Sequence, residues 1–383
     1  MLYRLTAPRK TVIGENALET CHSDVATLGR KALVVTGRHV EQTGAMRNLL
    51  GLLIQWGIGY SVFSGITGEP TVEMIGEGVQ AYRVAGCDFV IAIGGGSPLD
   101  SAKAIAAMTV LPGAISDYMG REIEGEFPPA VLIPTTAGTG SEATKFTVIT
   151  DTARDVKMLL RGDGLLPRLA VVDPAFTLSS PPSVTAATGM DALTHAVEAY
   201  TSRRANPLTD ALALDAITRI FRSLPAAWHD GSDLKARTDM AIAAYHGGIC
   251  INNASVTLVH GMSRPIGALF HVPHGISNAM ILHRCMAFAL EGCPERFAAI
   301  ARAIGAADGS IGMREAAQSF LRALRWLCEA IEIPSLAQYG VDRERFESLI
   351  GKMATDAMMS GSPGNTIREV GEEDLAEIYR GLW

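Results

Sequence analysis

The sequence has few cysteines and no closely spaced cysteine pair. Its 383 residues include six cysteines, and none of them lies in a Cys-x-x-Cys arrangement. A fold held together by disulfides and a zinc site made of cysteines alone are therefore not indicated. We expect a protein of a reducing compartment, the cytoplasm.

Runs of lysine and arginine are missing as well. The chain carries 33 Lys and Arg against 40 Asp and Glu, which gives a formal net charge of -7. Proteins that bind nucleic acid or anionic membrane surfaces need a local or overall excess of positive charge. We therefore expect neither nucleic acid nor a membrane as a partner.

Long apolar runs are also absent. No stretch of about 18 uncharged apolar residues occurs, and the first ten residues, MLYRLTAPRK, lack the apolar segment of a secretory signal. A hydrophobic share of 48% with 19% charged residues is typical of a globular protein with a sizeable core. At roughly 100–200 residues per domain, this length predicts two or three domains.

The first 180 residues alternate short apolar runs with helical stretches, as in a parallel sheet wrapped by helices. Several runs lack the alternation of a half-exposed strand, which indicates a sheet covered on both faces. The sequence therefore predicts an α/β domain with a mostly parallel sheet over residues 1–180. The predicted strands are 32–36, 60–63, 88–93, 130–134 and 169–172.

Strand-like runs nearly vanish after Asp173-Pro174, and Ala, Leu and Met become frequent. Two prolines and three serines cluster at 178–183, where we place the domain boundary. The second domain, residues 181–383, is predicted to be all helical, and several of its helices are opened by Ser, Asp or Pro. The predicted helices are 183–201, 207–222, 235–254, 294–303, 313–330, 343–356 and 372–380.

Two loops rich in small residues each follow a predicted strand. The first, Gly94-Gly95-Gly96-Ser97, opens an Ala-rich helix, so its main-chain N–H groups and the helix dipole can meet a phosphate. A tight strand-to-helix turn that simply needs glycine explains this loop equally well. The second loop, 134–142, reads PTTAGTGSE. Both loops are expected at the carboxyl ends of strands, where nucleotides bind in open α/β sheets, although the GxGxxG fingerprint is absent.

Four residues of the second half are suited to a metal. Asp191 and His195 are four apart in a helical pattern and project from one face. His260 and His274 are each followed by glycine in an apolar setting. One carboxylate and three imidazoles suit a divalent transition ion such as Fe²⁺ or Zn²⁺. For Asp191 and His195 alone, a local carboxylate–imidazole hydrogen bond is the simpler interpretation.

Five segments, in this order and at these separations, resemble the iron-containing alcohol dehydrogenase family, and the resemblance runs from about residue 5 to the C-terminus. The segments are GGGSPLDSAKA, PTTAGTGSEAT, the DP at 173–174, GMDALTHAVEAY and HGMSRPIGALFHVPHG. The resemblance implies an α/β domain that binds NAD(P), a helical domain with one catalytic metal, and a cleft between the two. It also implies reversible oxidation of a small primary alcohol to its aldehyde in a homodimer, with Fe²⁺ as the first choice of metal and Zn²⁺ as the alternative.

The resemblance also carries roles to individual residues. The implied metal ligands are Asp191, His195, His260 and His274. The implied phosphate-binding loop is Gly94, Gly95, Gly96, Ser97 and Asp100, and the second cofactor loop is Thr135, Thr136 and Thr139. Lys157 matches the lysine near the cofactor ribose.

The chain departs from the family pattern at three places. Gly37 stands where many NAD-preferring members have aspartate, and Arg38 follows it, so NADP(H) should be tolerated or preferred. An Arg38 that merely points into solvent is the competing interpretation. The usual Asn-Pro-Thr is Glu69-Pro70-Thr71 here.

The third departure is Arg264, which replaces a histidine often found beside the nicotinamide. Its partner is either a protein carboxylate or an acidic group on the substrate, gripped by the guanidinium. In the second case the substrate is an acidic aldehyde or alcohol, and His271 replaces the lost proton relay. A histidine that simply packs in its loop is the other interpretation of His271.

Two other functions compete with this prediction. One is a zinc-dependent polyol dehydrogenase on the same fold, of the glycerol dehydrogenase kind. The other is a regulator that binds a metal or nucleotide without catalysis, which the intact set of ligand residues disfavours.

Overall fold

A computed structural model describes residues 2–383, which form two compact units. One unit is Thr6–Ser180, and the other is Pro181–Trp383 together with residues 2–5. The first unit combines strands and helices, and the regular elements of the second are helices. None of the helices in the described chain has both the length and the apolar character needed to cross a membrane.

The α/β unit contains eight strands and five α-helices. The strands are β1 Lys10–Ile13, β2 Lys31–Val35, β3 Gly59–Phe63, β4 Phe89–Gly94, β5 Ala130–Pro134, β6 Phe146–Asp151, β7 Val156–Arg161 and β8 Leu169–Val172. The helices are α1 His22–Ala26, α2 Arg38–Glu41, α3 Gly44–Gln55, α4 Val72–Ala85 and α5 Gly96–Met108.

Six of these strands form one parallel sheet in the order β1-β8-β5-β4-β2-β3. Strand β3 lies on one side of β2 in the sheet, and the next strand, β4, lies on the other side. The direction of winding therefore reverses between β2 and β4. A crevice outside the carboxyl ends of the strands forms at such a switch point. The remaining strands, β6 and β7, pair antiparallel with each other.

Successive residues of the central strands point to opposite faces of the sheet. In β2, Leu33 and Val35 belong to a core shared with α4 and α5, whereas Ala32 and Val34 belong to a second core shared with α3. All four side chains are completely buried. A strand that is covered on both faces needs apolar residues at every position, which explains why these runs do not alternate.

The helical unit contains ten α-helices in the described chain. They are α6 Pro182–Tyr200, α7 Pro207–His229, α8 Leu234–Ala254, α9 Leu258–Phe270, α10 His274–Leu290, α11 Pro294–Ala303, α12 Met313–Ala330, α13 Leu336–Tyr339, α14 Arg343–Met359 and α15 Glu372–Arg380. The predicted fold class, a mostly parallel α/β unit and an all-helical unit, is therefore confirmed.

The structure corrects the predicted elements at several places. The helix that was predicted to end at residue 222 continues through Pro225 to His229, because Leu224 and Ala227 pack in the core. Three helices of the helical unit, α9, α10 and the short α13, were not predicted. In α9 and α10, Pro265 and the Val272-Pro273 pair interrupt the helical pattern. The strands β1, β6 and β7 were also missed.

A buried lysine joins α5 to the segment that follows β5. Lys103 is 2% exposed, and its Nζ donates to Ser141 Oγ at 2.8 Å and to the carbonyl of Phe146 at 2.7 Å. Asp100, one turn earlier on α5, accepts from the backbone N–H of Val148 at 2.8 Å and from the Ser141 hydroxyl. These contacts fix the start of α5 against the loop.

Glu142 lies in the same loop and is 2% exposed. Burial raises the pKa of its carboxyl from 4.5 to about 7, and its own backbone N–H and the nearby Lys103 lower it only in part. A folded-state pKa above the unfolded value means that the native protein binds a proton which the unfolded chain releases. The contribution of Glu142 to stability therefore falls as the pH rises from 4.5 to about 7.

We predict that the Glu142→Gln variant becomes more stable relative to the native protein as the pH rises, because glutamine does not titrate. The difference in unfolding free energy should shift toward the variant by up to about 3 kcal/mol between pH 5 and pH 8. Chemical denaturation at the two pH values measures it. Glu77→Gln, a change at an exposed position of α4, is the matched control and should show no such shift. A flat or opposite trend for Glu142→Gln would contradict the prediction.

Candidate functional site

Helix α6 carries three polar side chains on one buried face. Asp191, His195 and Glu198 are spaced i, i+4 and i+7, so they lie along the same side of the helix. Their exposed fractions are 4%, 5% and 0%. Pro182 occupies the first turn, where a missing N–H costs nothing, and the Ala, Leu and Val residues of α6 bury the rest of the helix.

Asp191 is surrounded by three imidazoles from three helices. Its Oδ1 lies 3.7 Å from His195 Nε2 on α6, 3.6 Å from His260 Nε2 on α9 and 3.5 Å from His274 Nε2 on α10. The His195 and His260 rings stack with their centroids 4.8 Å apart. The structure therefore brings together all four residues that the sequence singled out as a ligand set.

The glycine that follows each of the two later histidines allows a close approach between elements. A Cβ on Gly275 would lie 2.1 Å from the carbonyl oxygen of Ala187, so only glycine lets the start of α10 pack against α6. A Cβ on Gly261 would lie 2.7 Å from the ring of Pro363. In each of these His-Gly pairs, the histidine supplies a ring nitrogen suited to a metal. The glycine beside it permits the close backbone contact that positions the histidine.

The electrostatic environment of the four candidate ligands favours a positive charge. Burial opposes ionisation of Asp191, but His195 and His274 hold the pKa of its carboxyl well below the usual value. Burial likewise lowers the pKa of His260, whereas Glu198 and Asp191 raise it to about 9. Two buried carboxylates beside one imidazole thus favour a cation at this place.

Asn278 on α10 belongs to the same cluster and was missed from the sequence. Its Nδ2 donates to Asp191 Oδ1 at 2.8 Å and lies 3.3 Å from His274 Nε2. Its Oδ1 is buried and has no hydrogen-bond partner among residues 2–383. Only the spacing of four residues from His274 signals this role, because Asn278 would face the same side of a helix.

The donor set fits a divalent transition ion. Donors 2.0–2.2 Å from a metal at tetrahedral angles are about 3.3–3.6 Å apart, and the three separations from Asp191 Oδ1 are close to that range. One carboxylate with neutral imidazoles is also the ligand chemistry of iron and zinc sites. Three of the residues are buried, whereas the side chain of His274 is 42% exposed, so the set is open on one side.

Glu198 was not predicted as a site residue either, although it lies one turn beyond His195. Its Oε2 is 2.6 Å from His260 Nδ1 and its Oε1 accepts from the backbone N–H of Val259 at 2.5 Å. No local pattern indicates these contacts, because their partners lie about sixty residues away in the sequence.

The two glycine-containing loops of the α/β unit lie against each other. Gly94 ends β4 with φ 155°, Gly95 caps α5, and a Cβ on Gly96 would lie 2.9 Å from Thr139 Cγ2. Thr135 N–H donates to the Gly94 carbonyl at 2.9 Å. The predicted loop residues Gly94, Gly95, Gly96, Ser97, Thr135, Thr136 and Thr139 are thus gathered at the carboxyl ends of β4 and β5.

Asp100 differs from these loop residues because its carboxylate is already engaged by protein donors. Oδ2 accepts from the Val148 N–H and Oδ1 lies 3.4 Å from Lys103 Nζ. The observed contacts of Asp100 therefore hold the loop in shape.

The other predicted cofactor residues lie at separate points of the α/β unit. Gly37 follows β2 and precedes α2, at the strand end beside the switch point, and Arg38 is exposed. A Cβ on Gly37 would lie 3.0 Å from the Ile66 carbonyl oxygen, so a larger residue would be crowded there. Lys157 on β7 forms an ion pair with Glu69, with Nζ and Oε1 2.5 Å apart.

Arg264 lies one turn after His260 on α9 and is half-buried. Its Nη1 donates to Ser362 Oγ at 3.3 Å, and it forms no ion pair with a carboxylate in the described chain. Burial lowers its pKa and the charge of Glu198 raises it in part. His271 is exposed and adopts φ 55° where α9 ends.

Comparison with known proteins agrees with this arrangement. A family profile described as iron-containing alcohol dehydrogenase matches residues 8–174, and one described as the C-terminal part of the Fe-containing alcohol dehydrogenase family matches residues 185–383. An NAD-dependent methanol dehydrogenase of Bacillus methanolicus is 36% identical over 376 residues, which are 97% of this chain and 98% of that protein.

Solved structures with the same fold extend over the whole chain. A 1,3-propanediol oxidoreductase has a TM-score of 0.97 at 36% identity and covers 100% of both chains. A sulfoacetaldehyde reductase from Bifidobacterium kashiwanohense, solved in complex with NAD+, has a TM-score of 0.86 at 27% identity and covers 100% of this chain and 99% of that one. The chain belongs to the iron-containing alcohol dehydrogenase family and is an oxidoreductase that interconverts alcohols and aldehydes.

Proposed function

We propose that the helical unit holds one divalent transition ion and that the α/β unit binds NAD(P), for reversible hydride transfer between the dinucleotide and a small primary alcohol or aldehyde. The proposed ligands are Asp191, His195, His260 and His274. The observation that carries the proposal is the placement of three imidazole Nε2 atoms within 3.5–3.7 Å of one buried carboxylate oxygen. Fe²⁺ is the first choice because of the family, and Zn²⁺ is the second, since the ligand types do not separate them.

The bound groups supply two kinds of chemistry, polarisation of the substrate oxygen by the ion and hydride exchange by the nicotinamide. The chain's own contribution is to place and isolate the reacting groups. His195, His260 and His274 turn their Nε2 atoms toward Asp191. Asn278 holds the carboxylate by a hydrogen bond of 2.8 Å. The partly exposed His274 marks the side from which a substrate reaches the set.

We propose that the cofactor lies along the carboxyl ends of β2, β4 and β5. The Gly94–Gly96 turn and the N-terminus of α5 offer main-chain N–H groups to a pyrophosphate, and Thr135, Thr136 and Thr139 offer hydroxyls beside them. NADP(H) is proposed to be accepted along with NAD(H), because Gly37 presents no carboxylate to repel a 2′-phosphate and Arg38 is exposed next to it.

We also propose that the preferred substrate carries an acidic group. A half-buried guanidinium without a carboxylate partner is costly, and an anion on the substrate would compensate it. Arg264 occupies such a position one turn from His260. Sulfoacetaldehyde reductase is a relative whose named substrate is a sulfonate-bearing aldehyde. His271 is proposed as the accompanying proton relay.

The metal proposal predicts that His260→Ala loses both bound metal and turnover, because it removes one buried donor and leaves Glu198 without its imidazole partner. Metal content after anaerobic loading with Fe²⁺, and steady-state rates with an alcohol panel, measure the two effects. His229→Ala, at the end of α7 and outside the ligand set, is the matched control and should behave like the native protein. Full turnover by a chelator-treated, metal-free native preparation would refute the metal site.

The cofactor proposal predicts that Arg38→Ala lowers kcat/KM for NADP+ by about 10- to 100-fold, the effect of a lost charged hydrogen bond, with little change for NAD+. This variant is preferable to Gly37→Asp, which the Ile66 carbonyl would crowd. Arg47→Ala, an exposed change on α3, controls for net charge. The proposal fails if the native enzyme shows no turnover with NADP(H).

The substrate proposal predicts that Arg264→Ala loses about 10- to 100-fold more kcat/KM on succinic semialdehyde than on butanal, an aldehyde of equal chain length without the carboxylate. Arg264→Lys should recover only part of the difference, because an ammonium lacks the bidentate fork. Ser362→Ala is the structural control, since it removes the hydroxyl that Arg264 contacts. Equal losses on both aldehydes would show that Arg264 has a structural role.

A further inference from the structure

A single buried carboxylate links the start of α9 to α6. Glu198 is completely buried, and its Oε1 accepts from Thr257 Oγ1 at 2.9 Å, from Val259 N–H at 2.5 Å and from His260 N–H at 3.4 Å. Val259 and His260 lie in the first turn of α9, where backbone N–H groups have no partner within the helix. Oε1 of Glu198 therefore caps α9 from a neighbouring helix.

The second oxygen of Glu198 faces a ring nitrogen. Oε2 lies 2.6 Å from His260 Nδ1, and the opposite ring nitrogen, Nε2, lies 3.6 Å from Asp191 Oδ1. A carboxylate in a capping position only accepts hydrogen bonds, so Nδ1 must carry the proton. When the ring binds an ion as a neutral imidazole, its lone pair is then on Nε2, the nitrogen that faces the other ligands.

We propose that Glu198 is a positioning residue for the metal site, which fixes His260 in the tautomer that can bind the ion through Nε2. The inference rests on the proposed metal site. Carboxylates that accept from the free N–H of a metal-bound histidine set its orientation and increase its basicity, and their loss typically weakens metal binding about 10- to 100-fold.

The donor arrangement makes the isosteric change Glu198→Gln informative. The amide oxygen must take the Oε1 position, because the backbone N–H groups of Val259 and His260 cannot become acceptors. The amide NH₂ is then forced toward His260 Nδ1, which has to accept, and the ring proton moves to Nε2. The variant keeps the shape and the helix cap but favours the tautomer that cannot bind through Nε2.

The test uses Zn²⁺ as the probe metal and measures its dissociation constant in the full-length protein by competition with a chromogenic chelator. We expect Glu198→Gln to bind Zn²⁺ about 10- to 100-fold more weakly than the native protein. Asp239→Asn is the matched control, because Asp239 is a buried carboxylate of the same unit that is held by Arg219, Arg222 and Ser223 away from the ligand set. The control should bind Zn²⁺ like the native protein even where both variants lower the unfolding midpoint.

A second measurement uses the protein with its native Glu198. In the zinc-loaded native protein labelled with ¹⁵N-histidine, the His260 resonances, identified by their absence in His260→Gln, should show a protonated Nδ1 and a metal-bound Nε2. Metal bound through Nδ1 would overturn the inference. Unchanged Zn²⁺ affinity in Glu198→Gln, or an equal loss of Zn²⁺ affinity in Asp239→Asn, would also overturn the inference. Neither result would contradict the proposed metal site. A native protein that binds neither Zn²⁺ nor Fe²⁺ would overturn the proposed function and this inference together.

Discussion

The helical unit depends on compensating the buried charge of Asp191. Withdrawing a carboxylate from water costs several kcal/mol unless cations or donors surround it. Asp191 is 4% exposed and is met by imidazoles from α6, α9 and α10 and by the amide of Asn278. Three helices must therefore approach one point, and the side chains at that point must be polar although they lie within the core of the unit.

That convergence explains the small residues around the site. A helix that delivers a short side chain such as histidine to a shared point must bring its backbone close to its neighbours. Gly275 permits this approach beside Ala187 and Gly261 permits it beside Pro363. The same geometry leaves the first turn of α9 next to α6, where Glu198 satisfies its N–H groups. The same residues thus satisfy the packing and place the ligands, which explains why His260 and His274 are each followed by glycine in the sequence.

Local patterns could predict the central strands of the sheet and the candidate ligands, whereas long-range contacts could not be predicted. The continuous apolar runs of β2 and β4 indicated a sheet covered on both faces, as found. The i, i+4 spacing of Asp191 and His195 indicated a shared face. The helices α9 and α10 were missed because Pro265 and the Gly residues disturb the helical pattern. Glu198 and Lys103 were missed because their partners are separated by about forty to sixty residues.

Two of the buried charged clusters in the described chain differ in how their polar atoms are paired. In the α/β unit, the donor Lys103 is matched by the acceptors Ser141, Thr144 and Phe146, so that cluster is complete within the protein and serves to fix a loop. In the helical unit, the Asp191 carboxylate faces three imidazole Nε2 atoms, and the amide of Asn278 donates to it. Three ring nitrogens within 3.5–3.7 Å of one buried carboxylate oxygen are stable when a cation joins them. The convergence of ring nitrogens on one carboxylate therefore distinguishes a cluster suited to a metal ion from a buried network that only holds the fold.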